Sequence, residues 1–403
     1  MRFKEFEGEW EEHKVSDILE FFPTNSLSWE QLEYSERELY NLHYGLIHKG
    51  LPTQIDLASC SLPSIKESNI PNNYTICRNG DVAFADASED TNDVAKVVEF
   101  LDCNEKKIVC GLHTIHGRDK LELTVIGFKG YIFSSTPFLN QIRKIAQGTK
   151  IYSISTKNFS ECYVNIPSKE EQMKIANLLL LLDKRIQTQS KIIEDLRLLK
   201  STISNKIFFK SNLVDMKIKL LELGVLKNGY AFSSKTYEDN GKYKIITISN
   251  VTGGRKINTI KCNTINCLPK DLQQHQILKS NNILISLTGN VGRVSLSSGE
   301  NLLLNQRVGV FVLSNSNYTE YVFQAISNDR FEKAMIGIGQ GAAQLNIGKS
   351  DIENYEIPFT SNEKLLQNIA GLLKIIDKKN EMEQTLLAKY ESQKQYLLSQ
   401  LFI

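Results

Sequence analysis

The apolar positions of this chain follow two different rhythms. Over residues 166–208 and again over 357–402 they recur at helical spacing. The first stretch has Ile175, Leu178 and Leu182, then Ile192, Leu196, Leu199 and Ile203; the second has Ile369, Leu372 and Ile376, then Leu386, Tyr390 and Leu397. A seven-residue rhythm marks a helix that packs one narrow stripe against another helix. The rhythm breaks in both stretches at an aligned polar residue, Gln189 and Glu383. Each stretch opens with Ile-Pro and then an S/T-x-x-E pattern, Ser168 with Glu171 and Thr360 with Glu363, which predicts a capped start. A helix of some 40 residues is about 60 Å long. Nothing of that length buries a single stripe alone, so each helix requires a partner, and the other helix is the obvious one.

The two stretches are also copies of one another. Ile175-Ala176 matches Ile369-Ala370, Asp183-Lys184 matches Asp377-Lys378, and Ile207-Phe208 matches Leu401-Phe402, all at an offset of 194. The segments before them read as short β-rich pieces. KYKIITISNV, NNILISL and LLLNQRVGVFVLS lie within 217–333, and GDVAFADA and KLELTVIGFKGYIF within 1–146. Gly and Asn punctuate these short strands. Gly80-Asp81-Val82 sits where Asn281-Asn282-Ile283 does, and Val94 to Val97 where Val291 to Val294 does. The expected fold is α+β, with two similar mixed α/β heads (1–165 and 211–357) and two long helices (166–210 and 358–403). The helices form an antiparallel coiled coil with pseudo-twofold symmetry. Constant helices with diverged heads suit an object that measures a distance between two recognition events, and two half-sites on a DNA duplex are a natural target.

Charge sharpens this picture only when divided. The net charge is +2, but residues 217–333 hold 15 Lys+Arg against 8 Asp+Glu, and residues 1–146 hold 15 against 23. A basic segment suits a phosphate backbone. No apolar run reaches the roughly 20 residues that span a bilayer, and the charged N-terminus lacks an apolar leader core. A cytoplasmic protein without membrane association is expected. The seven cysteines are dispersed, as reduced thiols would be. Cys262, Cys267 and His275 lack the second close pair that a metal site would need, so no metal site is expected.

The stretch GQGAAQLNIGKS, residues 339–350, ends like a phosphate-binding loop, but Ala343 stands where that motif needs Gly. Gln340-Gly341 aligns with Gln147-Gly148, and Ile347 with Ile154. Both copies precede the Ile-Pro of a long helix, which points to the closing turn of a head. No methyltransferase, dinucleotide or zinc-protease motif is present, so a non-catalytic chain is expected.

In this order, and twice over, the pieces resemble the specificity subunit of type I restriction-modification systems. The resemblance rests on WEEHKVSDIL, LGVLKNGYAFSSKTY with YKIITISNV, TGNVGRV, and the IPxxxEEQxxIAxxL…LD run that opens each long helix. It implies two target recognition domains, each reading half of a bipartite site on double-stranded DNA, with the helices setting the spacer. It implies docking of two modification (methyltransferase) subunits and of restriction (translocase/nuclease) subunits. No cofactor is expected in this chain; S-adenosylmethionine, ATP and Mg would belong to the partners. In the first head it makes His113, His116 and Arg118 available to bases or phosphates. In the second head two loops qualify by residue type, Asn250, Thr252, Arg255 and Lys256 in one and Thr288, Asn290 and Arg293 in the other. Asn pairs bidentately with adenine and Arg with guanine. Two other readings compete: a structural tether with protein-binding heads, and a phosphate-loop nucleotide binder.

Overall fold

Both long helices form in the computed structural model, α1 over Lys169–Asn205 and α2 over Glu363–Gln400. The structure describes residues 2–210, 213–339 and 345–402; Gln340-Gly341, expected to match Gln147-Gly148, lies outside them, as does Ala343. The chain divides into two compact units, one of residues 1–190 with 385–403 and one of residues 191–384. Each unit therefore holds one head, the first part of one long helix and the last part of the other.

In the first unit, Ile175, Leu179 and Leu182 of α1 share a core with Leu397, Leu398, Leu401 and Phe402 at the end of α2. In the second, Leu366, Ile369, Leu373 and Ile376 of α2 share a core with Ile207 and Phe208, just past the end of α1. Start meets end in both units, so the pairing is antiparallel.

The buried stripe departs from the one that spacing predicts. In α1 it runs Gln172, Ile175, Leu179, Leu182, Ile186, Gln189, Ile193, Leu196, Lys200, Ile203 and on to Ile207; in α2 it runs Leu366, Ile369, Leu373, Ile376, Asn380, Glu383, Leu387, Tyr390, Lys394, Leu397 and on to Leu401. Steps of three and four alternate throughout, an unbroken heptad. Leu178, Ile192, Leu199 and Leu372, expected in the stripe, are 37, 38, 48 and 46% exposed. Gln189 and Glu383 are buried and in register, so they do not interrupt it. The Leu178–Leu182 run and the Ile192-Ile193 pair offer apolar side chains on two faces. Polar residues at Gln189, Lys200 and Lys394 then hide the true period from a hydrophobicity rule. Leu179→Ala should cost about 2–5 kcal/mol, and the neighbouring Leu178→Ala under about 0.5 kcal/mol, measured by denaturant unfolding.

The polar stripe positions have partners. Lys200 Nζ lies 2.7 Å from Asp377 Oδ1 in the second unit, and Lys394 Nζ lies 2.6 Å from Asp183 Oδ1 in the first. These are equivalent residues of the repeat. Each Asp also holds its own head. Asp183 accepts from Tyr131 OH at 2.9 Å; Asp377 accepts from Gln324 Nε2 at 2.7 Å and Arg255 Nη1 at 3.3 Å. A buried polar pair specifies helix orientation and register better than it stabilises.

The two heads repeat one plan. The entering strand, Glu11–Lys14, pairs antiparallel with Tyr163–Ile166, which leads into α1; Met216–Lys219 pairs likewise with Glu356–Phe359, which leads to α2. The main sheet of the first head orders Leu19–Phe22, Thr114–Asp119, Val82–Ala85, Val97–Asp102 and Gln54–Asp56. That of the second orders Gly224–Asn228, Val308–Leu313, Ile283–Ser286 and Val294–Leu296. Each head adds a four-stranded sheet containing one parallel pair, Lys107–Cys110 with Leu39–Leu42 and Leu302–Leu304 with Tyr243–Ile246. Val82 and Ile283 open equivalent strands, as the sequence match predicts. The turn before the next strand is left-handed in both heads, at Ala95 (φ 61°) and Gly292 (φ 78°). At Gly292 a Cβ would also approach Met335 Cβ to 2.8 Å, so this turn requires glycine.

The helix starts differ from the predicted capping boxes. Ser168 Oγ accepts from Glu171 N at 3.4 Å, but the Glu171 carboxylate is held by Arg2 at 2.9 and 2.7 Å. In α2 the cap is Asn362, whose Oδ1 accepts from Leu365 N at 3.1 Å. Thr360 Oγ1 only supports Asn362 N, at 3.4 Å. Gln172 accepts from Val125 N and donates to Pro167 O, both at 2.9 Å. Leu366 fills the equivalent place from an apolar core, which explains why the second copy lacks the Glu-Gln pair.

Candidate nucleic-acid interface

Four of the ten side chains singled out by residue type, His116, Arg118, Asn250 and Arg255, face inward. His116 lies on a central strand and is fully buried, with Nε2 2.8 Å from Asp81 Oδ2. Arg118 donates to both Asp81 oxygens, at 2.8 and 2.7 Å, and lies over the Phe22 ring. Burial pulls the His116 ring down, but the hydrogen bond to Asp81 and the nearby Cys77 thiol outweigh it and raise the pKa to about 9. Burial alone would raise the Asp81 carboxyl; its hydrogen bonds to Arg118 and His116 hold it below the usual range. These two side chains brace a sheet and do not present themselves to a base.

The second head corrects the same expectation. Asn250 is 3% exposed and closes its own loop, accepting from Thr247 N at 2.8 Å and donating to Asn258 O at 2.8 Å. Arg255 makes two 2.6 Å bonds to Glu320 and reaches Asp377 on α2. Burial would raise the Glu320 carboxyl, yet Arg255 and Gln324 keep it below the ordinary carboxylate range. A lowered folded value gives stability that is present above the unfolded value and lost as pH falls through the folded one. Glu320→Gln should therefore flatten the loss of stability of the second unit below about pH 4, followed as unfolding midpoint against pH. Arg293 is half-buried and lies 3.3 Å from Glu332. Lys256 is exposed but within 3.4 Å of Glu381. Thr288 is half-buried, with a buried Oγ1 that lacks a hydrogen-bond partner.

His113, Thr252 and Asn290 remain exposed. His113 has a left-handed backbone (φ 52°), lies 3.1 Å from Asp86 Oδ1 and packs edge-on to Tyr44. Its place in the sheet identifies a counterpart that sequence reasoning missed. Ala85 pairs with Thr114, and the next residue, Asp86, donates its N–H to His113 O at 3.1 Å. Ser286 pairs with Val308, and Leu287 donates to Arg307 O at 3.0 Å. His113 and Arg307 thus occupy the same position in the two heads. Arg307 is exposed, forms no ion pair among the described residues, and flanks the loop of Thr288 and Asn290. Its signal was the polar Asn305-Gln306-Arg307 between two apolar triplets.

The remaining candidate chemistry dissolves. Gly348 donates its N–H to Asp351 Oδ2 at 2.7 Å, and Lys349 lies 3.6 Å from Glu353. A carboxylate therefore occupies the place a phosphate would need. The helix begun by Gly348 matches the one capped by Ser155 in the first head, and Ile347 and Ile154 are both buried. Cys262 bonds Asn250, Cys267 is exposed and His275 bonds Asn228 O, so they do not converge. The metal-competent group among the described residues is instead Cys77, Cys110 and His116.

Residues 214–392 match the family model of the type I restriction modification DNA specificity domain. The match covers the second head and most of α2, so this part of the chain resembles that specificity domain. It is 27% identical over 291 residues to the specificity subunit of the type I restriction enzyme MjaVIII of Methanocaldococcus jannaschii, covering 64% of this chain and 67% of that one. The crystal structure of the S subunit from M. genitalium aligns with a TM-score of 0.62 at 16% identity, over 100% of this chain and 99% of that one. A chain from a structural study of complex assembly and conformational transition in a type I restriction-modification system aligns with a TM-score of 0.56 at 13% identity, over 97% and 96%. At these identities the structural likeness concerns the fold. The strand orders extend the plan of the second head to the first.

Proposed function

We propose that this chain is the non-catalytic DNA-reading subunit of a type I restriction-modification complex, with one head for each half of a bipartite target. The equivalence of His113 and Arg307 carries this reading. Two heads of one topology offer a donor at the same exposed loop but differ in its chemistry, as two readers of different half-sites would. Equivalent Asp–Lys pairs tie each head to both helices, which suits a fixed spacer. Modification subunits carrying S-adenosylmethionine and methylating adenine, and restriction subunits using ATP and Mg, are the partners this reading requires. Exposed apolar pairs on the helices, Leu178 and Leu181 in one unit and Leu372 and Ile375 in the other, are surfaces that such docking would cover. No described helix is long and apolar enough to cross a membrane, in keeping with a cytoplasmic complex.

The test is to co-express the chain with its modification subunit and map methylated motifs across a genome. A split motif is expected, and no split motif would overturn the reading. Seven residues added to α1 after Ser190 and seven to α2 after Gln384 leave the core of each unit intact. At 1.5 Å per residue the insertion adds about 10 Å, roughly three base pairs of duplex. The spacer should lengthen accordingly while both half-sites stay unchanged; altered half-sites would sink the ruler.

A further inference from the structure

Three side chains in the first head converge without any role in the scheme above. The ligand atoms of Cys77, Cys110 and His116 lie within 4.8 Å of one another, and all three residues are buried. The two Sγ atoms are 3.6 Å apart. A tetrahedral zinc with Zn–S bonds of about 2.3 Å sets its sulfurs about 3.8 Å apart, so this spacing already suits a shared ion. His116 supplies the independent observation. Its Nε2 is held by Asp81, while Nδ1 is buried with no hydrogen-bond partner. Ligating histidines are oriented in this way, with a carboxylate on the outer nitrogen and the inner one left for the metal. Asp81 is itself fixed by Arg118 and by the N–H of Arg78.

We propose that Cys77, Cys110 and His116 Nδ1 bind one thiophilic divalent ion of the zinc class. The ion would join the two sheets of the head, since Cys110 ends a strand of one and His116 lies on the other. It would brace the turn of residues 111–113 that presents His113. Both thiols and the ring lose their protons to the solvent when the ion binds. Buried Cys103, whose Sγ lies 3.7 Å from Cys77 O, stands outside this group. A Cys77–Cys110 disulfide is the competing chemistry, but it would leave Nδ1 without a partner.

The full-length chain, purified from zinc-supplemented cells and dialysed against metal-free buffer, should retain one zinc by plasma mass spectrometry. Refilled with cobalt alone it should show sulfur-to-cobalt charge-transfer absorption. C77S/C110S should lose the metal entirely, and C267S should keep it. If the double variant fails to fold, the cobalt spectrum of the unaltered chain decides. A folded chain that takes up neither ion overturns the proposal, as does a Cys77–Cys110 disulfide found by non-reducing peptide mapping.

Discussion

Asp377→Ala destabilises the second unit by about 3 kcal/mol or more. The carboxylate is 8% exposed and accepts from Lys200, Arg255 and Gln324 at once. Removing it leaves a largely buried lysine with no counter-charge and an amide with one partner fewer. Arg255 keeps its two bonds to Glu320, and Lys200 is 22% exposed and can turn toward water. Both effects place the cost at the lower end of the range for a broken buried pair. In a unit of this size each kcal/mol shifts the melting temperature by about 2–4 °C, so a fall of about 6–12 °C is expected by calorimetry. Replacing both partners together, Lys200→Met with Asp377→Leu, should recover much of the loss, because no charge is then left buried. A shift below about 1 kcal/mol for Asp377→Ala would mean that the pair does not hold head and helices together.

If Arg307 reads a base as proposed, Arg307→Ala should weaken DNA binding by about tenfold or more, the loss of one bidentate contact of about 1–3 kcal/mol. The effect is confined to one half of the target. The argument is positional. Arg307 stands free at the loop where the first head presents His113, whereas the two arginines of the candidate loops in the same head are engaged, Arg255 by Glu320 and Arg293 by Glu332. His113→Ala should act on the other half-site only. Competition binding of the assembled complex against sites altered in each half separates the outcomes. Uniform weakening with a salt slope reduced by about one would assign Arg307 to a phosphate instead. No change in either half would remove it from the interface.

The helices were legible in the sequence because helical periodicity and a duplicated copy are local signals. Their stripe was not legible in detail. At Leu178-Leu179 and Ile192-Ile193 two adjacent apolar residues compete for one seam position, and the polar Gln189, Lys200 and Lys394 hold seam positions that hydrophobicity alone would deny them. The candidate loops show the same division. Asn250, Arg255, His116 and Arg118 have side chains suited to bases, but residue type carries no information about direction. The Arg255 partners are 65 and 122 positions away, and the Asp81 that holds His116 is 35 away.

The sequence by itself determined the repeat, the order of head and helix, and the absence of a complete phosphate loop, since each depends on spacing along one chain. Only the tertiary structure decided which face of each helix is buried, which Asp meets which Lys, that His113 and Arg307 are counterparts, and that Cys77, Cys110 and His116 converge. Those facts depend on strands and helices brought together from far apart, where burial and pairing, and not residue type, set what a side chain can do.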